Sequence, residues 1–244
     1  MSGHSKWAQI KRQKGAADAK RGQVFTKLAN AISIAVAKGG GGGDPVSNFK
    51  LRLLIEKARS VNMPKENIER AIKRAESRES GDIEDVVYEA FGPAGVGLII
   101  EAATDNKLRT APEIKNILEK NGGTMASQGT VAYQFSQKGM LTVKKNHSLD
   151  DIFMLAADTG AEDVEEAGEK VLIYTKPEDL KKVKEALSLQ LSIIDAELIR
   201  KPVVTVPILD KETASKVISI MDKLENLDDV QKVYSNFDIP DEFT

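Results

Sequence analysis

The chain has 244 residues, with 41% hydrophobic residues, 5% aromatics, no Cys and a formal net charge of −2. That length suits one large domain or two to three small ones, and the composition excludes collagen-like, coiled-coil and disordered chains. Without a thiol there is no disulfide framework, thiolate zinc site or Cys nucleophile. No apolar run approaches the roughly 20 residues that span a bilayer, and the start of the chain, SGHSKWAQIKRQK after Met1, has no apolar signal-peptide core. The expectation is a cytoplasmic protein with no membrane partner.

The balanced net charge hides a segregation. Residues 1–78 hold 17 Lys and Arg against 6 Asp and Glu, a net +11, whereas residues 79–244 hold 18 against 31, a net −13. Such asymmetry describes a basic module that seeks polyanions on an acidic body, or an electrostatic dock between two parts of one protein.

In chain order, residues up to about Ala19 form a basic arm with few apolar residues. Phe25, Leu28, Ala29, Ile32, Ala35 and Val36 then fall on one helical face that stops at Gly39. The five glycines Gly39–Gly43 before Asp44-Pro45 make a hinge loop or a site of close backbone approach; a phosphate-binding loop would need a preceding strand and a Lys-Ser/Thr. Leu51, Leu54, Ile55, Ala58 and Val61 predict a second helix capped by Ser47 and ending at Asn62. Pro64 opens a third, with Ile68, Ala71, Ile72 and Ala75 inward. Three helices with one apolar face each make a small bundle.

Beyond residue 79, strands are predicted at Val86–Phe91 and Val96–Ala102 around Gly92-Pro93-Ala94-Gly95, followed by a helix through Ile114, Ile117 and Leu118 that ends at Asn121-Gly122-Gly123. Val131–Phe135 reads as a strand, and Met140–Val143 as another after a Lys138-Gly139 turn. Ser148 and Asp151 form a capping box for a helix with Ile152, Leu155 and Ala156, and Ala167-Gly168 is a hairpin turn between Val164 and Val171–Tyr174. Pro177 opens a helix with Leu180, Val183, Ala186 and Leu187, before a strand at Ile193–Ile199. From Met140 to Ile199 the order is β-α-β-β-α-β, the ferredoxin-like split βαβ arrangement. The tail predicts a strand at Val203–Ile208, a helix through Val217, Ile218, Met221 and Leu224, and a strand at Val230–Tyr234. It is too short for a domain of its own, so it is expected to complete the sheet begun at 86–102.

An enzyme needs a nucleophile with its base, a metal set or a cofactor loop. His147 with Asp150 or Asp151 lacks a Gly-x-Ser-x-Gly elbow, and Asp163, Glu165, Glu166 and Glu169 lack the ligand alternation of a calcium loop and read as a solvated strand edge. The expectation is a non-enzyme with no cofactor, metal or small-molecule substrate. Nucleic acid is the partner the charges suit. Lys6, Lys11, Arg12, Lys14, Lys20, Arg21 and Lys27 could each meet a phosphate, and Trp7 among them either stacks on a base or packs the arm onto the helices or sheet. Arg70, Lys73 and Arg74 share a turn of the third helix, with Lys65 near its start, as a solvated face or an extension of the arm's footprint. At Thr104–Thr110, Lys107 and Arg109 flank a helix N-terminus, where an anion or simply an N-cap at Asp105 or Asn106 would be satisfied.

Ordered motifs then carry a resemblance. Ser2-Gly3-His4-Ser5-Lys6-Trp7, Asp18-x-x-Arg21, Phe25-Thr26-Lys27-Leu28, the glycine run with Asp44-Pro45, Asn62-Met63-Pro64, Arg70-Ala71-Ile72, Tyr88-Glu89-x-x-Gly92-Pro93, Thr104-Asp105-Asn106, Asn121-Gly122-Gly123 and Lys138-Gly139 resemble the YebC/PmpR family from end to end. That family includes the mitochondrial translational activator of cytochrome c oxidase. The resemblance implies an all-helical N-terminal domain, two α+β domains and no enzymatic activity. It also implies that Lys6, Trp7, Lys11, Lys14, Arg21 and Lys27 contact nucleic acid. The Asp105–Thr110 segment matches a motif usually read Asp-Asn-Arg-Asn-Arg-Thr, but Lys107 stands where a bidentate Arg would, leaving Arg109 the stronger contact.

The expected fold is α+β multidomain, an N-terminal three-helix domain followed by two ferredoxin-like α+β domains, the third inserted in the second. The expected boundaries are 1–78, then 79–135 with 203–244, then 136–202. The expected function is a non-enzymatic nucleic-acid-binding regulator of gene expression, for which the resemblance implies a DNA-binding transcriptional regulator or, as the alternative, a ribosome-associated translation factor that binds rRNA or tRNA and relieves stalling at proline-rich stretches; a protein-docking adaptor is a further alternative.

Overall fold

The computed structural model describes residues 19–40, 42–77 and 83–240, in the order of three helices followed by alternating strands and helices. The helices are α1 (Ala19–Lys38), α2 (Phe49–Ser60) and α3 (Lys65–Glu76). Ile32, Ala35, Leu51, Ile55, Ala58, Ile68 and Ala71 form their shared core, on the faces that the apolar spacing predicts. The glycine loop between α1 and α2 is pinned rather than hinged. Buried Asn48 donates from Nδ2 to the carbonyls of Ala35 (2.8 Å) and Gly42 (3.0 Å), while its Oδ1 accepts from the Leu51 amide (3.0 Å). Asn48 is therefore the N-cap of α2, one residue later than expected at Ser47, which instead bonds to Asp44. Gly39 and Gly43 have no room for a Cβ, since Asn48 and Glu76 crowd them.

One expectation fails in α2. Besides the face turned to α1 and α3, a second stripe of Phe49 and Leu53 packs into the core of the C-terminal half, and Leu53 is only 8% exposed. Spacing i, i+4 puts both on one side of the helix, but two residues are too few to stand out beside the longer stripe.

The remaining elements build two four-stranded antiparallel sheets. The first, in the order β3-β1-β2-β9, uses β1 (Glu84–Phe91), β2 (Gly97–Thr104), β3 (Thr124–Ala126) and β9 (Val230–Ser235). α4 (Lys107–Lys120) and α7 (Lys211–Glu225) cover one face, burying Ile114, Leu118, Val217, Met221 and Leu224 against Leu98, Ile100, Val230 and Val233. The second, in the order β5-β6-β4-β7, uses β4 (Phe135–Lys144), β5 (Asp163–Ala167), β6 (Lys170–Thr175) and β7 (Ile193–Pro202). α5 (Leu149–Thr159) and α6 (Leu180–Leu187) cover it, and its topology is that of the split βαβ expected from sequence. A short parallel pair joins β8 (Val206–Pro207) to β10 (Phe237–Asp238).

The bare faces of the two sheets meet. Ile99 and Tyr234 of the first lie against Met140, Leu172, Tyr174 and Ile199 of the second. Leu98 and Ile100 point to α4 and α7 while Ile99 points the other way, as the period of two requires.

Several local expectations need correction. Val131–Phe135 is not a strand: residues 132–134 make a 3-10 turn, and the buried Glu89 carboxylate accepts from the amides of Gly129 (2.6 Å), Val131 (2.6 Å) and Ala132 (2.9 Å). Lys138-Gly139 is no turn. Gly139 sits inside the ten-residue β4, where a Cβ would run into Thr175 Oγ1 and Leu180 Cβ. α6 starts at Leu180, three residues after Pro177, and only Val206–Pro207 of the tail's first apolar run is strand. The Asp163–Glu166 edge is less solvated than expected, because Asp163 and Glu165 pair with Lys201 and Glu166 with Lys145.

Burial pushes the Glu89 carboxyl upward, but the three amides outweigh it and hold it below the usual carboxylate range. Its stabilisation is thus complete above the unfolded Glu pKa and is lost as pH falls through the lower folded value. Glu89→Gln should flatten the acid limb of a stability-against-pH curve measured by urea unfolding. Leu53→Ala should cost about 2–4 kcal/mol, as large-to-small core changes do, and should split a single calorimetric transition by loosening the helical bundle from the second sheet.

Candidate nucleic-acid interface

Lys6, Trp7, Lys11, Arg12 and Lys14 lie outside the described residues, and Lys20 is in the first turn of α1, whose side chains there are likewise outside the description. Arg21 is exposed near the root of the arm. Lys27, one and a half turns on, is turned toward the body: its Nζ donates to the Glu225 carbonyl (2.5 Å) at the C-terminus of α7. Gln23, unnoticed in the sequence, donates to the Asn226 carbonyl (2.9 Å) and to Asp228 Oδ1 (3.0 Å). A cation at a helix C-terminus satisfies open carbonyls and the helix dipole together. α2 is held to β7 of the second sheet by Lys57 with Asp195, and to the covering helix α6 by Glu56 with Lys184 and Arg52 with Glu185 (3.9 Å). Part of the basic segment's charge is therefore spent inside the protein.

The next turn joins two of the predicted segments. Asp228 receives Gln23, and its neighbour Asp229 receives the start of α4. Asn106 is the N-cap there, accepting from the Arg109 amide (3.2 Å). Asp229 accepts from Arg109 Nη2 (2.8 Å), Thr110 Oγ1 (2.6 Å) and Thr104 Oγ1 (3.1 Å), and Arg109 also meets Asp105 (3.0 Å). Burial alone would raise the Asp229 pKa, but these donors outweigh it and hold the carboxyl below its ordinary range. Lys107 pairs with Glu84 (2.5 Å). Both cations of this segment thus have carboxylate partners, and the N-cap reading accounts for the local geometry.

α3 differs. Ile68 and Ala71 are buried while Arg70, Lys73 and Arg74 stand exposed on the opposite face, and Arg70 and Lys73 make no ion pair with another described residue. Lys73 and Arg74 occupy the last turn, where the helix dipole favours cations. Lys65 pairs within the helix with Glu69 (3.4 Å).

Of the residues weighed for catalysis, His147 is exposed, and Ser148 is engaged as the α5 N-cap with Asp151. Among the described residues no group of three or more His, Asp or Glu is placed to hold a metal ion. No helix among them is long and apolar enough to cross a membrane.

A basic helical bundle seated on two α+β layers that meet back to back defines an architectural class. The chain belongs to the TACO1/YebC family, whose N-terminal domain model matches residues 5–78 and whose second and third domain model matches residues 83–237. A protein of Sulfurihydrogenibium sp. named "Probable transcriptional regulatory protein" is 49% identical over 99% of this chain and 97% of its own length. One of Fervidobacterium nodosum with the same name is 47% identical over 99% and 95%. The crystal structure of a conserved hypothetical protein from Aquifex aeolicus superposes with a TM-score of 0.85 at 44% identity, over 92% of this chain and 93% of that one.

If Arg109 serves Asp229 and not a phosphate, Arg109→Ala should lower the thermal midpoint while leaving the salt dependence of polyanion binding unchanged. A shallower salt slope would instead place Arg109 in the footprint.

Proposed function

We infer that this protein is a non-enzymatic, cytoplasmic regulator of gene expression that binds nucleic acid through its basic N-terminal domain, residues 1–78. The discontinuous unit of 79–135 with 203–244, and the unit 136–202 inserted in it, position that domain and present an acidic face to protein. The observation that carries this reading is an asymmetry among cations. Lys107 and Arg109 on the acidic body are matched to carboxylates, whereas Arg70 and Lys73 on the bundle are exposed and make no ion pair with another described residue. A solvated run can be neutral in meaning, but this one belongs to the same net +11 segment of sequence as Lys6, Lys11, Arg12 and Lys14.

The names of the relatives favour DNA as the polyanion. A specific feature favours structured RNA as the second reading: the exposed face of α3 offers Arg and Lys, suited to phosphates, without a row of Asn and Gln for base edges. Ribosomal RNA would meet the same face.

Fluorescence anisotropy of duplex DNA and of a structured RNA, titrated at matched salt, tests both. Replacing Arg70, Lys73 and Arg74 together by Ala should weaken binding and reduce the log–log salt slope by up to about 3, near one unit per lost phosphate contact. An unchanged slope for both polyanions would sink the assignment of α3.

A further inference from the structure

One end of the first sheet is uncharged. Residues 90–100, 122–137, 202–209 and 233–237 contain no Asp, Glu, Lys or Arg, in a chain of which 30% of residues are charged. The fold brings these four segments together. The Gly97 amide donates to Asn236 Oδ1 (2.7 Å), and a Cβ on Gly97 would meet Val131 and Gln134. Asn236 Nδ2 donates to Gln134 Oε1 (2.6 Å), whose carbonyl accepts from the Val203 amide (2.9 Å). The charges nearest in sequence are already engaged: Glu89 is buried with its three amides, Lys138 pairs with Glu162, Lys201 pairs with Asp163 and Glu165, and Asp210 caps α7. Just outside, Lys223 reaches Asn121 (2.8 Å). On this surface Tyr133, Val203 and Val204 are 73%, 61% and 55% exposed. Large exposed apolar side chains on ground depleted of charge have the composition of a protein–protein contact.

We propose that two copies of the chain meet at this end, about a two-fold axis. A two-fold contact sets each patch against itself, so a surface of one charge sign repels its own copy. Residues 79–244 carry a net −13, which bars most of the acidic body from such a contact. The uncharged end is a part of that body that two copies bring together without opposing like charges. Charged partners are poorly served here, since none of the four segments has a side chain to hold a polyanion or a basic protein. The helical bundle leaves the end open. Gln23 and Lys27 dock to residues 225–228, ahead of β9, whereas the uncharged segments meet beyond its last residue, Ser235. The contact requires no nucleic acid, so it stands or falls separately from the function inferred above.

Sedimentation velocity of the full chain, freed of nucleic acid, tests this. Between about 1 and 100 μM, the range of a modest specific contact, the weight-average mass should climb toward twice that of the chain. Raising NaCl to about 1 M, where charges are screened within a few ångströms, should leave the dimer intact. Tyr133→Glu with Val204→Glu should give a monomer at every concentration, with the far-UV circular dichroism retained because both side chains are exposed. The milder Tyr133→Ser with Val204→Ser should weaken association several-fold, and it decides the matter if the glutamates disturb the fold. A native chain that stays monomeric throughout the range overturns the proposal. So does a dimer that these substitutions leave unchanged, which would place the contact elsewhere. A dimer that salt dissolves overturns it too, because the basic bundle of one copy on the acidic body of another would then be what holds it.

Discussion

The two sheets of the C-terminal half turn their uncovered faces to each other, and the positions of the other elements follow from that contact. Ile99 and Tyr234 on one side and Met140, Leu172, Tyr174 and Ile199 on the other form its apolar centre. Charged pairs border it: Glu101 with Arg200 at 2.8 Å, and Glu197 with Lys232 at 2.6 Å. Burial by itself would lower the Lys232 pKa, but Glu197 and its neighbours outweigh that and hold the ammonium more firmly charged than a free lysine. Lys201 adds a contact over the Tyr174 ring, 3.6 Å from its centroid, while pairing with Asp163 and Glu165. Each pair joins groups that would be costly to bury alone, so registers that separate them are disfavoured.

This contact places the partners of the helical bundle. Asp195, two residues from Glu197 on β7, takes Lys57 of α2, and the core behind β7 takes Leu53. On the other sheet, the turn between α7 and β9 brings Asp228 under Gln23 and Asp229 under Arg109. The bundle is thus held to both halves: through α2 by apolar packing and ion pairs, and through α1 by polar contacts to the end of α7. The two readings of the segregated charge are compatible. Lys27, Arg52 and Lys57 face inward as parts of a dock, and Arg70 and Lys73 face outward on α3.

Two carboxylates whose importance is hidden in the sequence hold the crossing points. Glu89 gathers three amides of the segment that leads from the first sheet into β4, and Asp229 gathers two hydroxyls and a guanidinium where α4 begins. An isolated Glu in a strand or Asp in a turn carries no signature of this. Its donors come from residues 40 or 120 positions away, and only the fold supplies them.

The sequence by itself determined what depends on near neighbours. Helix faces in α1, α2 and α3 follow from apolar spacing, the Ser148 and Asp151 cap from hydroxyl and carboxylate chemistry at a helix start, and the β-α-β-β-α-β order from alternating periods. The basic character of residues 1–78 is a matter of composition, and the family resemblance rests on ordered motifs that local physics need not explain. Tertiary structure alone decided which cations are already paired, why Gly139 must lack a side chain, and that Phe49 and Leu53 form a second apolar stripe. Those outcomes depend on groups far apart in the chain whose electrostatic and packing energies exist only once the sheets have met. Local spacing registers a charge or an apolar residue, while its partner is chosen by the fold.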